Sequence, residues 1–259
     1  MLAYSEQGTG PALVLLHAFP MDRSLWRDVA PALAEQGWRV ITPDLPGFGA
    51  SPEPAASVED MAERVALLLN ALGEHAAVVG GCSMGGYVAM TFAASFPERT
   101  AGLVLVDTKG NADGDEARAN RERIAEQVLA SGSTHALAVT QPELMLSAET
   151  REQRPQVTAW LQAVIRAQRP EAVAAAQRAM ARRAEQFGML NGLHVPVLCI
   201  RGSDDAISSS DDHSRMARAA RDGLDITVPG AGHLVPIEAP DAFIAHVGAY
   251  LAHLRAPHC

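Results

Sequence analysis

The sequence predicts an α/β protein: a mostly parallel central sheet with helices on both faces and one helical insertion. Three features lead there. Short apolar runs alternate with segments of helical period, and those runs lack the every-other-residue polarity of half-exposed strands. The stretch 113–185 shows no strand pattern at all. In chain order, residues 12–19 (ALVLLHAF), 39–45 (RVITPDL), 76–80, 101–107 (AGLVLVD), 195–201 (VPVLCIR) and 224–228 read as buried strands. Between the first two, Leu25, Val29 and Leu33 make a helical stripe. Ser57 then opens an S-x-x-D capping pattern with Asp60, and Met61, Val65, Leu68 and Leu72 follow on one face. Phe243, Val247, Tyr250 and Leu254 form the last stripe. The middle stretch is rich in Ala, Arg, Glu and Gln, which favour helix. The expected plan is a core of 1–112 and 186–259 around a helical cap of 113–185.

Charge removes several classes of function. The 259 residues carry 21 Lys and Arg against 30 Asp and Glu, a net charge of −9. Nucleic-acid binders and proteins held on anionic lipid show a basic footprint, so neither partner is expected. Residues 113–185 hold ten Arg and ten Asp or Glu, which cancel, so the negative balance belongs to the rest of the chain. Lys109 is the one lysine, and the arginine excess reads as coding bias. Cys82, Cys199 and Cys259 are far apart, without a C-x-x-C pair, which suits free thiols in a reducing compartment. Residues 1–10 lack the regions of a signal peptide, so the expected location is cytoplasmic. Residues 76–96 carry no charge and contain Gly81-x-x-x-Gly85, but glycines and Ser83 break the apolar run. A buried strand turning into a buried helix explains that better than a membrane span. Metal-ligand spacings are absent, no cofactor is expected, and no heptad pattern speaks to oligomeric state.

Ligands of such sheets bind beyond the carboxyl ends of the strands, so chemistry is sought there. Gly81-Cys82-Ser83-Met84-Gly85 follows one strand and precedes an apolar helix, the context that a G-x-S-x-G nucleophile turn needs. Small residues around Ser83 permit a tight strand-to-helix turn, and the helix N-terminus favours a developing anion. A serine hydroxyl needs a base, and the base an orienting acid. Gly202-Ser203-Asp204-Asp205 and Pro229-Gly230-Ala231-Gly232-His233 both follow strands, in the order that this arrangement requires. His213, His246 and His253 fall in helical patterns and fit less well. The loop His17-Ala18-Phe19-Pro20 would supply a second oxyanion donor, the Phe19 amide beside that of Met84. His17 itself reads as a brace for that loop. Trp26, Met145, Leu146 and Trp160 are candidate pocket residues, and Arg151, Arg154 and Arg166 are conceivable clamps for a substrate carboxylate.

Taken together, HAFP (17–20), DLPGFGAS (44–51), GCSMGG (81–86), GSDD (202–205) and GAGHLVPIEAP (230–240) resemble the α/β-hydrolase superfamily over nearly the whole chain. The chain is most similar in look to small serine carboxylesterases and 3-oxoadipate enol-lactonases. That resemblance implies Ser83 as nucleophile, His233 as base and Asp205 as acid, since the family pattern is G-x-x-D; Asp107 is a rival acid. It also implies that 113–185 is a cap over the site. A serine at position 83 decides against the branches that use an aspartate nucleophile. Ala18 stands where a glycine is usual, and Ala206-Ile207-Ser208-Ser209 replaces a common proline. The expected activity is hydrolysis of a small ester or lactone through an acyl-enzyme. The rivals are an enol-lactonase, a hydrolase of carbon–carbon bonds, and a ligand-sensing protein that keeps the triad.

Overall fold

The computed structural model describes residues 1–255; Cys259 lies outside them. Strands β1 (Tyr4–Gln7), β2 (Ala12–Leu16), β3 (Arg39–Pro43), β4 (Ala77–Cys82), β5 (Thr100–Val106), β6 (Val197–Gly202) and β7 (Gly223–Val228) form one sheet in the order β1-β3-β2-β4-β5-β6-β7. Only the β1–β3 pairing is antiparallel, Tyr4 lying opposite Pro43. The six strands read from the sequence are present. β1 was not foreseen, because its YSEQ sequence is exposed in the middle and becomes a strand by pairing with β3. Its edge position asks for no apolar run. The central strands do: every residue of β2, β4 and β6 is buried.

Helices α1 (Ala30–Glu35), α2 (Val58–Ala71) and α3 (Met84–Ser95) alternate with the first strands. Ser57 caps α2 by accepting the Asp60 N–H, as its sequence pattern predicts. α3 is buried on every side from Met84 to Ala93, so residues 77–93 run through the core as a strand and then a helix. Among the described residues no helix is long and apolar enough to cross a membrane.

Between β5 and β6 the chain is helical: α4 (Asp115–Ser131), α5 (His135–Met145), α6 (Ala148–Gln153), α7 (Pro155–Arg166), α8 (Pro170–Arg182) and α9 (Phe187–Gly192). α4 packs on α8 and α5 on α7. The helical run continues past residue 185, since α9 follows before β6. After it come α10 (Ser210–Ala219), α11 (Val235–Glu238) and α12 (Pro240–Arg255). α12 packs on α1, and its Phe243 ring lies 5.9 Å from that of Trp26.

The β4–α3 turn is fitted against β2 backbone to backbone. A Cβ on Gly85 would lie 2.1 Å from the Leu16 carbonyl oxygen, and one on Gly81 would lie 2.1 Å from the Gly85 carbonyl carbon. No side chain can relax such contacts, so residues 81 and 85 must be glycine for the turn to seat. Gly85→Ala is expected to destabilise the fold by about 1–3 kcal/mol, the range of overpacking substitutions. Urea unfolding monitored by circular dichroism measures this. The control Gly188→Ala, where an added Cβ meets nothing within 4 Å, should shift the midpoint far less.

Candidate active site

Ser83 sits between β4 and α3 at φ 52° and ψ −112°. A non-glycine residue in that region costs on the order of 1–3 kcal/mol and persists only where its surroundings hold it. Hydrogen bonds of its backbone groups do so. Its N–H donates to Val106 O (2.9 Å), and its carbonyl accepts the Gly86 N–H (2.9 Å) and the Thr108 hydroxyl (2.8 Å). The backbone is thus tied to β5 and to the first turn of α3. The Met84 amide, first in the helix, has no partner within the helix. The Ser83 side chain lines a cavity of about 230 Å³ together with Phe19 and His233.

His233 is buried, and its Nδ1–H donates to Asp205 Oδ1 at 2.9 Å. Its N–H donates to Met145 O (3.0 Å), which ties the imidazole loop to α5. Asp205 is well supplied with donors. Its Oδ1 also accepts the Ile207 (2.8 Å) and Ser208 (3.2 Å) N–H groups, and its Oδ2 accepts the Ser208 hydroxyl. Ser208 is therefore a direct partner of Asp205. Burial disfavours charge on both members of the pair. The Asp205 charge and hydrogen bond nevertheless outweigh it at His233 and raise that pKa above 6.5. The imidazole and the three donors from residues 207 and 208 overcome burial at Asp205 and hold its carboxyl well below the usual carboxylate range.

Asp107 lies within electrostatic reach of that pair but hydrogen-bonds elsewhere. It is fully buried at φ 45°, with Oδ1 accepting the Gly202 N–H (2.9 Å) and Oδ2 the Val235 N–H (3.2 Å). It thus joins β6 to α11, and burial pushes its pKa up to about 7. The imidazole hydrogen bond goes to Asp205 and not to this rival. His213 is also buried; its Nε2 accepts the Thr108 N–H (3.2 Å), and burial lowers its pKa to about 4, so it serves as a neutral brace. His17 is a brace as well. Its Nδ1–H donates to Ala18 O (3.0 Å), Nε2 accepts the Leu45 N–H (2.9 Å), and burial lowers its pKa.

Sequence reasoning missed Glu238. Its Oε1 accepts the Gly232 N–H (2.9 Å) and its Oε2 the Ser147 N–H (2.8 Å), which clamps the His233 loop against the start of α6. A carboxylate on a short helix just after a glycine-rich loop was the available signal.

The expected pocket residues divide. Met145 and Phe19 line the cavity. Trp26 does not: it is in the core against Phe243. Leu146 is buried, with its carbonyl accepting from Arg151 (2.7 Å). Trp160 lies on α7 under the Arg27 guanidinium, 4.2 Å from its ring centre. An apolar letter announces burial but not which face of its element the cavity opens on. The three arginine clamps are likewise elsewhere. Arg151 and Arg154 cap backbone carbonyls, and Arg166 reaches Gln162 on the surface. Among the described residues no group of three or more His, Cys, Asp or Glu is placed to hold a metal.

A family model described as alpha/beta hydrolase fold matches residues 11–240. A thermophilic esterase from Thermogutta terrifontis superposes with a TM-score of 0.95 at 38% identity, covering 98% of this chain and 94% of that one. An enol-lactonase from Burkholderia xenovorans LB400 gives 0.88 at 26% identity, covering 97% and 96%. Among curated sequences, a pimeloyl-[acyl-carrier protein] methyl ester esterase of Aeromonas hydrophila is 44% identical over 102 residues, 38% of each chain. The bifunctional epoxide hydrolase 2 of Sus scrofa is 36% identical over 111 residues, and the match spans a fifth (20%) of that protein's length.

The raised pKa of His233 has a kinetic consequence. With His233 proposed as the base, which works only when unprotonated, kcat/KM on an uncharged substrate should climb with pH, with its acid-side midpoint above 6.5. Asp205→Asn should move that midpoint down and lower the plateau by on the order of 10³–10⁴. A pH–rate profile of both proteins measures the two effects.

Proposed function

The chain belongs to the α/β-hydrolase fold family, and from that premise we propose that it hydrolyses small carboxylic esters or lactones through an acyl-enzyme on Ser83. One observation supports this above the others. A serine held in a strained strand-to-helix turn shares a cavity with an imidazole whose second nitrogen is committed to a buried carboxylate. The Asp205 bond leaves Nε2 of His233 as the nitrogen able to take a proton. In the proposed cycle Nε2 accepts the Ser83 proton as Oγ bonds to the carbonyl carbon. The imidazolium is stabilised by Asp205 and then protonates the leaving alkoxide. Water, deprotonated by the same nitrogen, cleaves the acyl-enzyme, and the proton returns to Ser83.

The Met84 amide and the Phe19 amide would hold the oxyanion, each contributing about 10²–10³ in rate. A lactone passes through the same intermediates, its leaving oxygen remaining attached to the acyl group. The helical residues 113–185 act in this reading as a cap, which the Met145–His233 backbone bond and the cavity wall supplied by α4, α5 and α8 support. The cavity falls below the range of about 300–1,000 Å³ that holds drug-sized ligands, which favours a compact substrate.

Hydrolysis of a short-chain p-nitrophenyl ester tests this. Ser83→Ala should lose activity by on the order of 10⁴–10⁶, and a fluorophosphonate should label the wild-type protein at Ser83 alone. Retained turnover in Ser83→Ala, or labelling at another serine, would overturn the assignment.

A further inference from the structure

The cavity that holds Ser83 carries a local charge opposite to that of the chain. Of 21 basic residues in a protein of net charge −9, the single lysine, Lys109, lines it. Lys109 directly follows Thr108, whose hydroxyl holds the Ser83 carbonyl. Among the described residues its ammonium enters no ion pair; every ion pair they contain uses arginine or histidine. Arg121, on α4, lines the same wall. Its Nε donates to Asp113 Oδ2 and its Nη1 to Gln177 Oε1 (2.9 Å), which fixes the guanidinium plane and leaves Nη2 without a protein partner among the described residues.

Asp113 does not cancel these charges. Its other oxygen is taken by Arg183 at 2.8 Å, and that guanidinium is itself buried and stacked 4.0 Å over Tyr87. One carboxylate thus pairs with two guanidinium groups, and the Lys109 charge stands outside that cluster of ion pairs. Each of its oxygens is held by a guanidinium, and it makes no ion pair with Lys109. The wall therefore keeps a surplus of positive charge on two partly buried side chains, Lys109 and Arg121. A substrate carboxylate fits, because an ammonium and a fixed guanidinium edge together suit a planar two-oxygen anion. The acidic exterior repels anions at long range, so any preference for one must be built locally.

We propose that Lys109 and Arg121 form a carboxylate subsite, so that the preferred substrates are esters or lactones bearing a second, ionised carboxyl group. This rests on the ester-hydrolase reading above and narrows its substrate class. Lys109 supplies the charge free to move onto the ligand, while Arg121 supplies a fixed edge held by Asp113 and Gln177.

Two experiments test it, and they fail independently of the hydrolase assignment. The first is the ratio of kcat/KM for monomethyl glutarate to that for methyl 5-methylhexanoate, in which an isopropyl group replaces the carboxylate. The ratio should fall about ten- to a hundredfold in Lys109→Gln, mostly through KM, as loss of a hydrogen bond to a charged group implies. Lys109→Arg should restore most of it, and rising ionic strength should reduce it in the wild type. An unchanged ratio in Lys109→Gln overturns the subsite. The second is calorimetric titration of monomethyl glutarate into Ser83→Ala, which needs no turnover. Binding should be measurable there and lost when Lys109→Gln is added. Absent binding in Ser83→Ala, or equal binding in both proteins, overturns the proposal. Wild-type hydrolysis rates in Ser83→Ala would instead sink the serine mechanism, with the titration still deciding the subsite.

Discussion

The contact on which the site depends is made between backbones. Gly85 leaves no room for a side chain against the Leu16 carbonyl, and Gly81 leaves none against Gly85. Close approach there lets the chain leave β4, reverse at a positive φ and enter α3 within a few residues. It also brings the start of α3 beside the loop that follows β2, where His17 and Phe19 sit. Strain at Ser83 is therefore supported by packing that cannot loosen locally. The hydrogen bonds to the Val106 carbonyl and from the Thr108 hydroxyl add the neighbouring strand and the loop after it to that support. Rigidity of this kind has a use in catalysis, since groups held before reaction need not reorganise during it.

Around that turn two buried carboxylates are handled in opposite ways. Asp205 receives an imidazole N–H, a hydroxyl and two backbone amides, enough to keep it ionised in spite of burial. Asp107 receives two backbone amides only, and its pKa stands near 7. The consequences for stability have different signs. The lowered Asp205 contributes stability above the ordinary carboxylate pKa and loses it as pH falls. The raised His233 contributes stability below 6.5 and loses it as pH climbs through its folded value. Asp107 opposes folding increasingly as pH rises from the unfolded carboxylate range towards 7. Charge near the imidazole thus favours the neighbourhood of neutrality from both sides, and the second carboxylate limits how far above it the advantage extends.

What the sequence made legible follows from the same physics. Parallel strands covered on both faces must be apolar throughout, so β2 to β6 announce themselves; β1 pairs at an edge and has no such need. Ser83, Asp205 and His233 each follow a strand end, where the fold opens to ligands whatever the details, and that placement is legible in the sequence. Met145 among the pocket residues was found, whereas Trp26, Leu146 and Trp160 were misplaced. On a helix or in a loop, apolar character fixes that a side chain is buried, and only packing decides against what. The parts of Ser208 and Glu238 are harder to read for a related reason: their hydrogen bonds, to Asp205 and to the His233 loop, depend on chain paths set by tertiary contacts.

The cations of the cavity wall are the instructive omission. Summed over residues 113–185 the charges cancel, and a neutral sum invites the reading of a solvated helical surface. In space the sum divides. Arg178 and Glu122 pair with each other at the surface, while Asp113 is drawn inward between Arg121 and Arg183. Lys109 comes from outside that segment altogether, by way of the loop after β5. Net charge over a stretch of sequence averages across the inside and outside of a helical layer, yet a ligand meets only the inside. The signal that survived averaging was compositional: one lysine in a chain that otherwise uses arginine, placed three residues beyond a strand end. A flexible ammonium differs from a guanidinium in being a compact point charge with freely rotating donors. That difference matters least on a solvated surface and most in the wall of a cavity, which is where the fold has put it.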